Sequence, residues 1–221
     1  MTEKTFGPFE LQKAYSTEPV PDDFVLRRRI STAMRTLSER VIRAEVDQAT
    51  LQHWAEQLEA VVATVGEPER RDSKQANRKL FTGAATIEDL YHMMDFDPVS
   101  GGANPIAPQV TWVQEGQEGV EGTLRLGQQY QGPPGRVHGG VIAWILDAVL
   151  SRALHAAFRL GVTGTLNIRY LAGTPIEDTI TCRARITGQE GRKIFIEGSI
   201  WHGDQQTVHA EGVWLTPKSL G

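Results

Sequence analysis

From Gly139 to Leu160 the chain is apolar almost all the way round a helix, beginning Gly-Gly-Val-Ile-Ala-Trp-Ile-Leu-Asp-Ala-Val-Leu. Such a helix has no face to turn to water, so it must be surrounded rather than laid on a surface. Its single acid, Asp147, stands where a buried residue belongs, and burying a carboxylate is costly unless something pairs or uses it. Ahead of the helix comes the turn Gly135-Arg136-Val137-His138-Gly139-Gly140. Glycines let a ligand approach the backbone closely, and the first amides of a helix are unpaired donors carrying partial positive charge. An anion or a polarised carbonyl is stabilised at such a place. A donor turn and a costly carboxylate on one helix point to a catalytic site.

The segments around this helix read as strands. Pro108–Gln114 and Glu121–Gly127 precede it, and Gly161 is placed to end it. Thr163–Leu171, Thr179–Thr187, Lys193–Trp201 and Thr207–Thr216 follow, each alternating apolar and polar residues with period two. The joints Gly188-Gln189-Glu190-Gly191 and His202-Gly203-Asp204 carry hairpin chemistry. The order strand, strand, long helix, four strands predicts an α+β fold in which a curved antiparallel sheet wraps the helix.

The N-terminal part differs in character. Residues 22–65 contain no glycine, and Leu26, Ile30, Met34, Leu37 and Val41 form an amphipathic stripe at spacings of three and four. Pro21-Asp22-Asp23 marks a helix start, and Thr50 is a candidate cap for a second helix bearing Leu51, Trp54, Leu58, Val61 and Val65. The first helix holds Arg27, Arg28, Arg29, Arg35, Arg40 and Arg43, whereas Glu45, Asp47, Glu56 and Glu59 fall between Ala44 and Gly66 with no Lys or Arg. This asymmetry suits two antiparallel helices that pair with each other or with the main domain. The polar stretch 67–80 reads as a linker, which divides the chain into a helical extension, 1–80, and a main domain, 84–221.

Composition narrows the setting. A formal net charge of −4 argues against a protein built around nucleic acid. One cysteine, Cys182, excludes an intrachain disulfide and fits a reducing compartment. The N-terminus has no apolar core like that of a signal peptide, and the apolar run broken by Asp147 is too short to span a bilayer, so a cytoplasmic protein is expected. His53, His92, His155, His202 and His209 lack metal-ligand spacing and no Cys cluster exists, so neither a metal nor a cofactor is expected.

His138-Gly139-Gly140, Asp147 nine residues after the His, Thr163 sixteen residues later, Asn167-Ile168-Arg169-Tyr170 and Thr174-Pro175 occur in that order. This set resembles the hotdog-fold acyl-CoA thioesterases, in the phenylacetyl-CoA-type branch, over about residues 84–221. The resemblance implies a homodimer with active sites at its interface, and dimers that can pair into a tetramer. It implies hydrolysis of an acyl thioester carried by coenzyme A, as part of the substrate, or by an acyl carrier protein, in lipid metabolism.

Thioester hydrolysis needs a donor for the developing oxyanion and a group that activates water or attacks directly. The Gly140 amide is the best candidate donor, with Gly139 giving the backbone room. Asp147 lies seven residues further on, roughly 10 Å at about 1.5 Å per residue, so one chain does not easily bring both to one carbon. A two-fold dimer does. Asp147 is the candidate base or nucleophile, and Thr163, carried over by position, the hydroxyl that orients it or the attacking water. Thr165, two residues along, is expected to face the same side. His138 holds the turn or donates to the thioester carbonyl; without a Ser or Cys beside it, a catalytic triad is unsupported. Val137 and Asn167 are further candidate substrate contacts, Trp144 and Trp214 candidate core or acyl-pocket lining, and Arg192 and Lys193 candidates for coenzyme A phosphates.

Two other readings stay open. A hydratase or dehydratase acting on an enoyl thioester uses, in related folds, an Asp with a His five residues later; here that position is Arg152. A non-catalytic module that binds acyl-CoA or a partner protein is suggested by the N-terminal helices alone.

Overall fold

The computed structural model describes residues 4–6, 14, 15, 17–69, 75, 78, 79 and 82–216. Helices α1 (Asp22–Arg43), α2 (Gln48–Val65) and α3 (Ile87–Met94) precede strands β1 (Thr111–Gly116) and β2 (Gly119–Arg125). A short 3-10 helix (Gln128–Tyr130) leads to α4 (Gly139–Ala156), then β3 (Val162–Tyr170), β4 (Thr179–Glu190), β5 (Lys193–His202) and β6 (Gln205–Leu215). The six strands form one sheet in the order β1-β2-β4-β5-β6-β3, with every neighbouring pair antiparallel. After β2 the chain crosses under the sheet as α4 and enters the opposite edge as β3. This is the expected hotdog architecture, a sheet wrapped around one helix.

The core explains the wrapping. Ile142, Ile145, Leu146, Val149, Leu150, Ala153, Leu154 and Ala156 of α4 are buried against Ile180, Cys182, Ile194, Ile196, Ile200, Val208, Ala210 and Trp214 of the sheet. Each large aliphatic side chain buried this way contributes about 2 kcal/mol. By length and composition α4 is apolar enough to cross a membrane, contrary to the expectation that its run is too short, but eight of its residues are buried in the core under the sheet. Its C-terminus is closed by Phe158 at φ 55, with Arg159 N–H donating to Leu154 O at 2.8 Å. Gly161, expected to end the helix, lies beyond it; a Cβ there would meet Leu154 and Trp214 at 3.2–3.3 Å, so it serves packing.

The N-terminal helices depart from expectation. Helix α1 docks on the body through a polar face rather than through its apolar stripe. The Arg28 guanidinium donates to both oxygens of the fully buried Asp95, at 2.7 and 2.8 Å, and Tyr15 donates to the same carboxylate. Burial, then the Asp95 carboxylate, hold the Tyr15 phenol well above its usual range. Ser31 donates to Ala103 O at 2.7 Å and Arg35 to Asn104 O at 2.7 Å, while Phe24 is buried beside Tyr91. Helix α2 is capped by Asp47, which accepts from Thr50 N–H at 2.8 Å, so Thr50 is inside the first turn rather than the cap. No residue of α2 is buried. The pairing of α1 with α2 within the chain is therefore absent. Helix α3 is not among the elements expected from the sequence, although Thr86 and Asp89 form a capping box. Most of the expected linker at 67–80 lies outside the described residues.

Two tests follow from this packing. Replacing Arg28 by Leu leaves the Asp95 carboxylate buried with only Tyr15, which should cost about 3 kcal/mol in urea unfolding. His155 sits in the last turn of α4, where burial and then the nearby Arg152 charge lower its pKa, outweighing Asp97. The unfolded chain thus binds the proton more readily than the folded one, and stability is lost as pH falls below about 6.5. A His155→Gln variant should flatten the slope of unfolding free energy between about pH 6.5 and 5.

Candidate active site

The turn ahead of α4 is pinned from both sides. Gly135 takes φ 74, Arg136 N–H donates to Pro133 O and Gly132 N–H to Arg136 O, both at 2.9 Å. Val137 N–H donates to Thr174 O at 2.9 Å and His138 N–H to Tyr130 O at 2.9 Å. Thr174 is itself buried and donates to the Thr207 hydroxyl at 2.9 Å, so the Thr174-Pro175 pair braces the turn from the sheet side. The side chain of Val137 is buried in the central core, which leaves only its backbone at the turn, a narrower role than a substrate contact.

His138 is the N-cap of α4, and its Nδ1 accepts from the Gly140 amide at 3.0 Å. As an acceptor that nitrogen carries no proton. Val141 and Ile142 N–H groups both donate to His138 O, at 3.0 and 3.1 Å. The remaining amide at the helix start, Gly139 N–H, has no hydrogen-bond partner among the described residues. The sequence pointed to Gly140 as the donor; in the free chain Gly140 is engaged and Gly139 is open. Tyr170 donates its hydroxyl to Gly139 O at 2.8 Å, and a Cβ on Gly139 would lie 3.5 Å from that hydroxyl. Tyr170 thus holds the Gly139–Gly140 peptide, the one that carries the Gly140 amide, from its carbonyl side.

Asp147 lies two turns along α4, half-buried, and accepts the Thr163 hydroxyl at 2.8 Å. Thr163 reaches it because of a bulge in β3. Thr163 pairs with Trp214 but Thr165 pairs with Val213, which leaves Gly164 as the extra residue. One extra residue inverts the alternation, so Thr163 faces the helix and Thr165 the opposite side of the sheet. The expectation that both face the same way fails for this reason. A glycine inside a strand is the signal that could have shown it.

The other candidates are distributed around this edge. Asn167 pairs with Glu211 on the outer face of the sheet. Lys193 and Val162 both pair with Leu215, one from each side, so the Gly191–Lys193 hairpin lies two strand spacings, about 10 Å, from the start of β3. Neither Arg192 nor Lys193 makes an ion pair among the described residues. Arg152, where a hydratase would carry His, is bound to Glu115 at 3.1 Å through Nη2 and stacks on Trp112. Trp214 is fully buried and donates to Ser151, whereas Trp144 is half-buried beside the core. Among the described residues no group of three or more His, Cys, Asp or Glu could hold a metal ion.

A solved crystal structure of a thioesterase superfamily protein superposes on the chain with a TM-score of 0.70. It is 32% identical and covers 86% of this chain and 94% of its own. The chain belongs to the thioesterase superfamily. The sequence model of that superfamily matches residues 134–209, from the glycine turn to His209 within β6. The acyl-coenzyme A thioesterase THEM4 of Rattus norvegicus is 35% identical over 91 residues, 40% of this chain and 38% of the rat protein. The acyl-coenzyme A thioesterase THEM5 of Homo sapiens is 32% identical over 91 residues, 40% of this chain and 37% of its own. The chain therefore matches well under half the length of these relatives. Within this thioesterase-superfamily site, His138→Ala removes the cap on Gly140 and should lower stability by about 1 kcal/mol, read from the urea midpoint.

Proposed function

We propose that the protein hydrolyses acyl-CoA thioesters, working as a two-fold dimer in which Asp147 of one copy faces the start of α4 of the other. The observation that carries this reading is the Thr163–Asp147 hydrogen bond beside the β3 edge, with the open Gly139 amide at the far end of the same strand. Among the described residues strand β3 pairs only with β6, and Val162 and Tyr170 at its ends, with Leu171 just beyond, are more than half exposed. An unpaired edge of this kind is a template for another strand. Antiparallel pairing of two β3 edges sets the Thr163–Asp147 corner of one copy beside the Tyr170–Gly139 corner of the other. The roughly 10 Å that separates donor and carboxylate along one helix is then bridged across the two-fold axis.

The chemistry follows from these groups. The thioester carbonyl oxygen takes the Gly139 amide, and the Gly140 amide joins it as the His138 ring swings off. Two donors and a helix N-terminus then stabilise the oxyanion. Asp147, oriented by Thr163, accepts a proton from water as it attacks the carbonyl, or attacks the carbonyl itself. The C–S bond breaks and the thiolate leaves as coenzyme A with the proton that Asp147 took from water. Where Asp147 attacks directly, the thiolate is protonated by water, and a water molecule then hydrolyses the mixed anhydride to the free acid and restores the carboxylate. Arg192 and Lys193, exposed at the same end of the sheet as Thr163, suit the phosphates of the carrier. With Arg152 tied to Glu115, the His that hydration chemistry would need is missing, which favours hydrolysis over the hydratase reading.

The test is thiol release from short, long and aromatic acyl-CoAs. Asp147→Asn should cut turnover at least about a hundredfold and Thr163→Val about tenfold, with the native mass unchanged. Near-normal turnover in Asp147→Asn removes the assignment. Absence of turnover on every acyl-CoA, with binding retained, leaves the non-catalytic module instead. Single turnover in ¹⁸O-water separates the two roles of Asp147: a base directs label straight into the acid product, a nucleophile passes it through the carboxylate.

A further inference from the structure

Thirteen of the nineteen exposed large apolar residues in the described chain lie between Val25 and Val65. On α1 the stripe Leu26, Ile30, Met34, Leu37 and Val41 is 38–60% exposed, because the helix docks through Phe24, Arg28, Ser31 and Arg35 on another face. On α2, Leu51, Leu58, Val61, Val62 and Val65 are 38–70% exposed. Helix α2 has 18 residues and none is buried. An isolated helix of that length is marginal in water, so α2 needs a surface to exist as a helix.

The two stripes fit each other. Leu26 to Val41 spans about 22 Å and Leu51 to Val65 about 21 Å of helix, and both repeat at three and four residues. Run antiparallel, Leu26 meets Val65, Met34 meets Leu58 and Val41 meets Leu51. Charge agrees as well. Arg29 and Arg40 flank the α1 stripe without an ion-pair partner among the described residues, while α2 and its connector carry Glu45, Asp47, Glu56 and Glu59 and no Lys or Arg.

Yet the fit is not made within the chain. The connector Ala44–Asp47 is four residues long and has no glycine, and Ala44 and Asp47 hold extended angles, ψ 126 and 164. Extended backbone at both ends of the connector, with no residue of α2 buried on its own chain, suits a helix that reaches a second copy, as in a domain swap. We propose that two copies of this chain exchange their α2 helices, each seated antiparallel on the apolar stripe of the other's α1.

The full-length Met34→Cys/Leu58→Cys variant tests this, with Leu26→Cys/Val65→Cys reading the same register at its end. All four positions are exposed, so the fold tolerates them. The native thiol does not compete: Cys182 is fully buried, and burial pushes it up to about 12. After mild oxidation, exchange yields covalent dimers on a denaturing gel for both pairs and none for the single variants. Mixing the Met34→Cys and Leu58→Cys single variants through unfolding and refolding should link one chain of each kind. A monomer band whose new thiols are consumed shows closure within the chain and overturns the proposal; new thiols left free in both pairs overturn it too. The denaturing gel keeps this result separate from the β3-edge dimer, which is non-covalent and is read as native mass.

Discussion

The seating of α4 in the sheet is the contact on which the rest of the molecule depends. At Gly198 of β5 a Cβ would lie 2.3 Å from Cδ1 of Leu150 and 3.2 Å from the Arg183 carbonyl, so the helix approaches the sheet as closely as a bare backbone allows. That approach fixes the rotation of α4. With Leu146, Val149 and Leu150 driven into the sheet, Asp147 is turned to the flank where β3 runs. The carboxylate is kept only half-buried and is given one hydroxyl. Burial depth and hydrogen bonding thus come from the same packing that makes the core.

Order and alternation were legible because they are properties of single segments. The strand sequence, the central helix and the joints follow from period-two and apolar runs, and the structure reproduces them with ends shifted by a few residues; β4, for instance, runs on to Glu190 so that the turn falls at Gly191. The motif residues His138, Gly139, Gly140, Asp147, Thr163 and Tyr170 were also legible as a set. The Thr163–Asp147 contact was legible too, carried over by position, but its structural cause and the bonding of the helix start were not. That His138 would cap Gly140, leaving Gly139 as the open amide, depends on a ring orientation that spacing does not encode. That Thr163 rather than Thr165 meets the helix depends on one extra residue at Gly164, which strict alternation hides.

The N-terminal helices show a different limit. An amphipathic stripe says that something must cover it, and the natural assumption is that the same chain does. Here α1 is held by ion pairing and carbonyl contacts, Arg28 to Asp95 and Arg35 to the 102–104 loop, which leave no trace in hydrophobic periodicity. The polar face docks and the apolar face stays out. Charge asymmetry between the two helices was visible in the sequence, but it reports complementarity without saying whether the partner is in the same chain.

The position of α1 gives its outer face a connection to the site. Its C-terminal half lies against the 3-10 helix, with Glu39 3.6 Å from Arg125 and Arg43 2.8 Å from Glu177. Tyr130 at the end of that 3-10 helix donates its hydroxyl to Ile106 O, and its carbonyl receives the His138 amide. Helix α1 itself and the 3-10 helix therefore lie between the exposed stripe and His138, which caps the Gly140 amide. On the proposed arm exchange a helix seated on that stripe would restrain α1, and α1 borders the Tyr130–His138 turn through the 3-10 helix.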